Sequence, residues 1–182
     1  MTHSDAQSVL DFWYSDDTRP FWFAKSTEFD ARLHQQFGTL WQTACRGECA
    51  HWRNTLDGRL AEILVLDQFS RNLARNTPVA FAQDLAALVL AQEAVAHPEY
   101  ATTAKDKQHF ILMPYMHSES AAIHALAVPL FEALGNANTL DFELRHKAII
   151  DRFGRYPHRN VILGRENTAQ ETTFLQEEGS SF

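Results

Sequence analysis

The chain has 182 residues, of which 45% are apolar and 21% charged, and its formal net charge is −7. This length and composition are typical of one soluble globular domain, and the acidity argues against non-specific nucleic-acid binding. No apolar run approaches the ~20 residues that span a bilayer, and the N-terminus lacks a basic region followed by an apolar one. We therefore expect a cytoplasmic protein that binds neither nucleic acid nor membrane.

Apolar residues recur with a helical period along the chain, which predicts helices throughout. Ser4 with Gln7 forms a capping-box pattern for a first helix. Ser26 is expected to cap a second helix, which Gly47 ends in the left-handed conformation. The pair Asp57-Gly58 predicts a turn into a third helix over roughly residues 59–73.

Prolines and small polar residues mark the next three helices. Thr77 followed by Pro78 predicts the start of a fourth, nearly all-apolar helix, which runs to about residue 97. A shorter fifth helix is expected over roughly residues 104–112, because the proline at position 114 should stop it. Ser118 is expected to cap a sixth helix that reaches Gly135, with a kink at Pro129.

Thr139 predicts the start of a seventh helix that ends at Gly154, and Thr168 with Glu171 predicts a capping box for a short last helix. The aromatic residues between positions 12 and 23 are expected to pack in the core. The sequence shows no good strand, no repeat at a fixed period and no low-complexity linker. We therefore expect an all-α fold of about eight helices, with residues 1–182 forming a single domain.

Charged residues interrupt the apolar face of the third helix. Asp67 and Arg71 continue the spacing of its apolar residues and are four positions apart, so their side chains can meet. Gln68 and Asn72 lie beside them. Such residues form an internal ion pair, line a pocket or are simply exposed, and the sequence leaves these alternatives open.

The seventh helix has a histidine on its predicted inner face. That face is predicted to consist of Phe142, Ile149, Ile150 and Phe153. His146 falls on the same face, where a histidine is either a core residue with satisfied hydrogen bonds or a functional group.

Residues 145–165 carry six Lys or Arg against one acidic residue, a local charge of +5 in a chain of −7. The carbonyl end of the seventh helix accounts for cations at Arg152 and Arg155, but not at Arg159 and Arg165. Guanidinium groups suit a carboxylate or phosphate held by two hydrogen bonds. The segment therefore predicts an anion-binding site.

A third polar cluster precedes the sixth helix. His117 and Glu119 could move a proton or bind a metal, whereas Ser118 is more simply a helix cap. The sequence has no zinc-protease spacing, glycine-rich phosphate loop, dinucleotide fingerprint or nucleophile elbow. Cys45 and Cys49 lack a second ligand pair, so we expect reduced thiols and no metal site. No cofactor is identified.

Five separated motifs make the chain similar to a bacterial family of all-helical proteins, the domain of unknown function 924. The motifs are Val9-Leu10-Asp11-Phe12-Trp13-Tyr14, Trp22-Phe23, Leu66-Asp67-Gln68-Phe69-Ser70-Arg71-Asn72, Met113-Pro114-Tyr115-Met116-His117-Ser118-Glu119 and Arg152-Phe153-Gly154-Arg155-Tyr156-Pro157-His158-Arg159-Asn160. The resemblance implies a fold related to tetratricopeptide-type helical arrays and assigns no activity or catalytic residue. The chain departs from the family pattern at Ser70, where proline is expected, and at Pro129.

Three interpretations of the polar clusters are open. The first is a small-molecule site in which the third, sixth and seventh helices surround an anionic ligand. An enzyme that uses general acid–base chemistry is one form of such a site. The second is a helical interaction module that holds a peptide or a protein partner. The third is an internal salt-bridge network that binds nothing.

The first interpretation assigns proton transfer to four titratable residues: His117, Glu119, His146 and His158. It assigns ligand binding to eight further residues: Asp67, Gln68, Arg71, Asn72, Arg152, Arg155, Arg159 and Asn160. It assigns no residue to a metal.

Overall fold

A computed structural model describes residues 5–180, and no strand occurs in that range. The all-α prediction is confirmed. The α-helices, in chain order, are α1 (Asp5–Trp13), α2 (Thr27–Cys45), α3 (Leu56–Ile63), α4 (Ser70–Leu73), α5 (Asp84–Val95), α6 (Lys105–Met116), α7 (Ala121–Leu134), α8 (Ala137–Phe153) and α9 (Ala169–Phe174). These helices are compatible with a tetratricopeptide-like arrangement.

Local sequence signals account for several helix ends. The Ser26 side chain accepts a hydrogen bond from the main-chain N–H of Phe29 at 3.2 Å, which confirms the predicted cap of α2. Gly47 follows that helix with a φ of 75°, as predicted. Thr168 and Glu171 form the predicted capping box at the start of α9. The capping box predicted at Ser4 lies outside the described residues.

α3 begins at Leu56, three residues before its predicted start, because Thr55 caps it. The hydroxyl of Thr55 accepts the main-chain N–H of Gly58 at 3.0 Å. A Cβ at Gly58 would lie 1.9 Å from the carbonyl oxygen of Trp52. Glycine is therefore required by this close approach rather than by a turn.

The predicted fourth helix is divided. Residues Pro78–Phe81 form a 3-10 turn, and α5 begins at Asp84. By length and composition alone, Pro78–Val95 could cross a membrane, with a mean hydropathy of 1.2, and 33% of it is buried. One such segment is weak support for a membrane span, since core helices give the same signal.

α6 continues through Pro114 to Met116, although the sequence predicted a stop before the proline. An internal proline removes one main-chain hydrogen bond and costs about 3 kcal/mol. Residues 110–116 are all buried, so packing offsets this cost. α7 begins after Ser120 rather than at Ser118, and Pro129 lies inside it.

Residues 5–75 and 79–114 form a first compact unit with an aromatic core. In it, α3 packs against α1 and α5. The buried ring of Trp13 lies edge-on to Phe110 at a centroid distance of 5.4 Å and 5.7 Å from Phe69. The predicted packing of rings in the core is confirmed for Trp13, whereas Phe23 is 70% exposed.

Residues 76–78 and 115–180 form the second unit, in which α7 packs against α8. The buried face of α8 comprises Thr139, Glu143, His146, Ile149 and Ile150. The inner position predicted for Phe142 is wrong: its side chain is 44% exposed, and Glu143 takes its place in the interior. The single domain stays a prediction.

Candidate functional site

In the first unit, the predicted ion pair of the third helix forms. Residues 56–73 are continuously helical, with a π-helical segment at Leu64–Phe69, a feature common at functional sites. The fully buried carboxylate of Asp67 lies 3.0 Å from Nη1 of Arg71. The same nitrogen lies 3.0 Å from a carboxylate oxygen of Asp84, so Arg71 bridges two acids.

Gln68 and Asn72 belong to the same network. The Gln68 amide donates to Asp67 at 2.6 Å, and the Asn72 amide donates to the Gln68 carbonyl at 3.0 Å. Arg75 donates to the Asn72 side chain at 2.8 Å and binds Asp30 through two nitrogens. This arrangement favours the internal ion pair among the alternatives for the third helix.

In the second unit, side chains hold three consecutive carbonyls at the end of α6. The Tyr156 hydroxyl donates to the Met116 carbonyl at 2.6 Å. Nη2 of Arg159 donates to the His117 carbonyl at 3.1 Å, and Nε2 of His124 lies 2.9 Å from the Ser118 carbonyl. Met116 is the last residue of α6, whose final carbonyls lack intrahelical donors, and the Tyr156 hydroxyl supplies a donor there. The other two carbonyls belong to the residues that directly follow the helix.

Glu119 anchors the same segment. Both of its oxygens accept from Arg165, at 2.7 and 2.9 Å, and one also accepts the Tyr156 N–H at 2.7 Å. Burial raises the pKa of Glu119, but these hydrogen bonds lower it by more, so its pKa lies below the ordinary value. An ionised carboxylate with these partners favours a structural role over proton transfer.

His124 and Glu143 form a fully buried pair joined at 2.7 Å between Nδ1 and Oε1. Because a carbonyl only accepts, Nε2 of His124 carries the proton in its bond to Ser118. The second proton therefore lies between Nδ1 and the carboxylate, and the pair has no net charge wherever it sits. Burial is the main cause that raises the pKa of Glu143.

Sequence analysis missed this pair. A signal for Glu143 was present, because it lies three residues before His146 and seven before Ile150, on one helical face. His124 has no comparable signal, since its partner is 19 residues away in the sequence.

Two predicted histidines are held neutral near Tyr156. Nδ1 of His146 lies 2.7 Å from the carbonyl of Phe142, and burial lowers the pKa of His146 to about 3. Burial, followed by the charge of Arg159, lowers the pKa of His158 to about 4. A charge on His117 also lowers both values, so three imidazoles lie within electrostatic range of one another.

Arg159 places a guanidinium in this cluster. The residue is 6% exposed, and its guanidinium carbon lies 4.6 Å from the centroid of the Tyr156 ring. The edge of that ring faces His146 at 5.6 Å, and the ring lies 5.5 Å from that of His158. Tyr156 is thus the common neighbour of the guanidinium and two imidazoles.

The other predicted ligand-binding residues in this segment have neighbours in the region of α9. Arg155 binds both carboxylate oxygens of Glu171, at 2.7 and 2.8 Å. The exposed Arg152 lies over the rings of Phe153 and Phe174. Asn160 donates to the Asn167 side chain at 2.7 Å.

The structure therefore brings together His117, Glu119, His146, His158 and Arg159 in the second unit, and Asp67, Gln68, Arg71 and Asn72 in the first. Among residues 5–180, no group of three His, Cys, Asp or Glu is placed to hold a metal ion. A cavity of about 480 Å³ in the first unit is lined by His51, Trp52 and Asp57, among others, and by none of the predicted site residues.

Residues 9–179 match the model of a family described as bacterial proteins of unknown function, DUF924. A solved structure, that of a protein of unknown function from Agrobacterium tumefaciens, is similar with a TM-score of 0.88 and 34% identity. The similarity covers 94% of this chain and 96% of the other. No curated protein matches the chain.

Proposed function

The chain belongs to this family of unknown function, and we propose that its second unit binds a small molecule through a carboxylate or phosphate group held by Arg159. His117 and His158 exchange protons with the bound molecule, as a general acid–base site requires. The observation that carries the proposal is the buried guanidinium of Arg159 over the ring of Tyr156, a ring whose further neighbours are the imidazoles of His146 and His158.

The surroundings of Arg159 suit an anion. The carbonyl end of α6 and the face of Tyr156 stabilise the guanidinium. The carboxylate of Glu119 binds Arg165 directly, and the charge of Arg159 is a further cause that lowers the pKa of Glu119. A planar guanidinium in such a place matches two oxygens of a carboxylate or phosphate.

The neutral histidines supply the proton chemistry. His158 is an unprotonated imidazole at neutral pH, because burial and Arg159 disfavour its charged form. An anion bound beside it acts in the opposite direction and raises its pKa. Binding is therefore coupled to proton uptake, and the imidazole is a base that an anionic substrate makes stronger.

The test is a thermal-shift measurement with phosphate, sulfate and citrate. At least one of these anions raises the melting temperature of the parent protein, and Arg159→Met removes the effect. Arg152→Met is the matched control, because Arg152 belongs to the same basic segment and is exposed. A parent protein that no anion stabilises, or an equal loss in the Arg152 variant, contradicts the proposal.

A protein- or peptide-binding role is the second candidate function. The observation in its favour is on α5, where Leu85 and Val89 are 73% and 50% exposed and lie four residues apart on one helical face. The parent protein binds such a partner, and the double variant Leu85→Asp/Val89→Asp does not. Leu126→Asp, at an exposed position on α7, is the control and keeps the binding. Equal retention by all three proteins rules this surface out.

A further inference from the structure

The hydrogen bonds at the end of α6 are centred on one residue, His117. Its own carbonyl and those of the residues before and after it are each held by a side chain, from Arg159, Tyr156 and His124. These side chains come from α7 and from the segment after α8. A main chain fixed at three successive carbonyls also fixes the Cα–Cβ direction of the residue in the middle.

We infer that His117 is held in position to contact the anionic ligand, and that Tyr156 and His124 are positioning residues that act on it through the main chain. This inference rests on the proposed function, since it states how one of the two proton-exchanging histidines of that site is oriented toward the ligand. A histidine held in place before binding loses less conformational entropy when the ligand arrives.

His117 differs from its neighbours in exposure. It is partly exposed, whereas His124 and His146 are buried. It is nevertheless close enough to the other two imidazoles of the cluster for its charge to lower the pKa of His146 and of His158. It therefore combines access for a ligand with membership of the cluster.

The bonds of Tyr156 and His124 fit positioning rather than proton transfer. Tyr156 donates its only hydroxyl proton to the Met116 carbonyl at 2.6 Å. Its oxygen lies 3.0 Å from Nε2 of His124, and in that contact it can only accept. The chain of hydrogen bonds from Glu143 thus ends on main-chain carbonyls, which do not pass protons onward.

The buried pair of His124 and Glu143 fixes the position of the side chain that donates to the Ser118 carbonyl. Both side chains are fully buried, and the pair carries no net charge. Its hydrogen bond joins α7 to α8, so the Nε2 donor of His124 is held from two helices. Preorganisation of this kind, in which outer hydrogen bonds fix an inner group, is what binding sites need.

The experiment is a double-mutant cycle with inorganic phosphate and citrate as the two probes. The affinities of the parent, Tyr156→Phe, His117→Gln and the double variant are measured by calorimetry. Tyr156→Phe lowers affinity about tenfold, the size expected for one lost hydrogen bond. His117→Gln lowers it at least as much, and in that background Tyr156→Phe has no further effect, because the two residues act through one contact.

Tyr115→Phe is the matched control and leaves affinity unchanged, since Tyr115 holds Ser118 through its main-chain carbonyl, which the substitution keeps. A second measurement needs only the parent protein: the ring-nitrogen NMR signals of His117 shift when the probe binds. This keeps the inference testable if Tyr156→Phe does not fold.

The outcomes separate the two claims. A parent protein that binds neither probe overturns the proposed function and this inference with it. Binding by the parent with equal affinity in His117→Gln, with additive losses in the cycle, or with static His117 signals overturns the inference alone.

Discussion

Arg159 carries a full charge at a position where the residue is only 6% exposed. Isolated buried charges are costly, and here a main-chain carbonyl and a tyrosine ring compensate for part of the cost. The carbonyl belongs to the negative end of α6, which favours a cation. The guanidinium is thus fixed by the fold before any ligand is present.

The pair of His124 and Glu143 makes a prediction at the scale of single residues. Because the pair has no net charge, Glu143→Gln can keep a donor toward Nδ1 and costs no more than about 1 kcal/mol of unfolding free energy. Glu143→Ala removes that donor and opens a cavity, at a cost of about 3 kcal/mol.

Urea unfolding of the two variants checks this prediction. Equal destabilisation by glutamine and alanine would contradict the prediction that a neutral amide can replace the carboxyl group of Glu143 as the partner of Nδ1.

At the scale of elements, helix caps were predictable because they depend on neighbours in the sequence. Ser26 and the pair Thr168 and Glu171 cap helices as predicted. The inner face of α8 was not predictable in the same way, because Glu143 lies in the interior only with its hydrogen-bond partner on α7. A pattern that counts apolar residues places Phe142 inside and leaves out a buried acid.

The two proline signals also show that local sequence does not decide which helix forms. The start signal at Pro78 was correct in position but predicted an α-helix where a 3-10 turn forms. The stop signal at Pro114 was overridden, since every residue from 110 to 116 is buried. Tertiary packing decides between such outcomes, and a local signal does not contain it.

The attachment of α9 gives a prediction at this scale. Glu171 binds Arg155 and completes the capping box, and Arg155 is the main cause that lowers the pKa of Glu171 to about 2. Glu171→Gln removes the charge, so amide exchange in residues 169–174 should accelerate roughly tenfold. Hydrogen exchange measures this, with Gln170→Ala on the exposed side as control; unchanged rates in Glu171→Gln would contradict the assigned anchor.

At the scale of the whole molecule, the basic segment is less basic than its sequence indicates. Four of its six cations pair with acids: Arg145 with Asp141, Lys147 with Asp151, Arg155 with Glu171, and Arg165 with Glu119. The site predicted from the sequence includes His117, His146, His158 and Arg159, which the structure places in the second unit, and its role stays a prediction. The sequence could not show which acids pair with Arg155 and Arg165, because Glu171 and Glu119 lie 16 and 46 residues away.

The buried histidines predict a pH dependence of global stability. His146 and His158 have pKa values of about 3 and about 4 in the folded protein, below the ~6.5 of an unfolded chain. Between the folded and unfolded pKa values, the unfolded state therefore binds more protons than the folded state. The free energy of unfolding is highest above pH 6.5 and decreases as the pH falls below it. By pH 5 each histidine accounts for a loss on the order of 2 kcal/mol.

Urea unfolding at pH 7.5 and pH 5 measures the loss, in a range above the titration of Glu119 and Glu171, whose pKa values are lowered. His146→Gln should remove about half of it. A pH-independent stability over this range would contradict neutral burial of these rings.

The most direct test of an anion site at Arg159 is calorimetric titration of phosphate and citrate in two buffers that differ in ionisation enthalpy. The account predicts binding by the parent with net proton uptake that increases as the pH falls from 7 toward 5, and no binding by Arg159→Met. Heats that are absent in the parent, or equal in the parent and Arg159→Met, would contradict it.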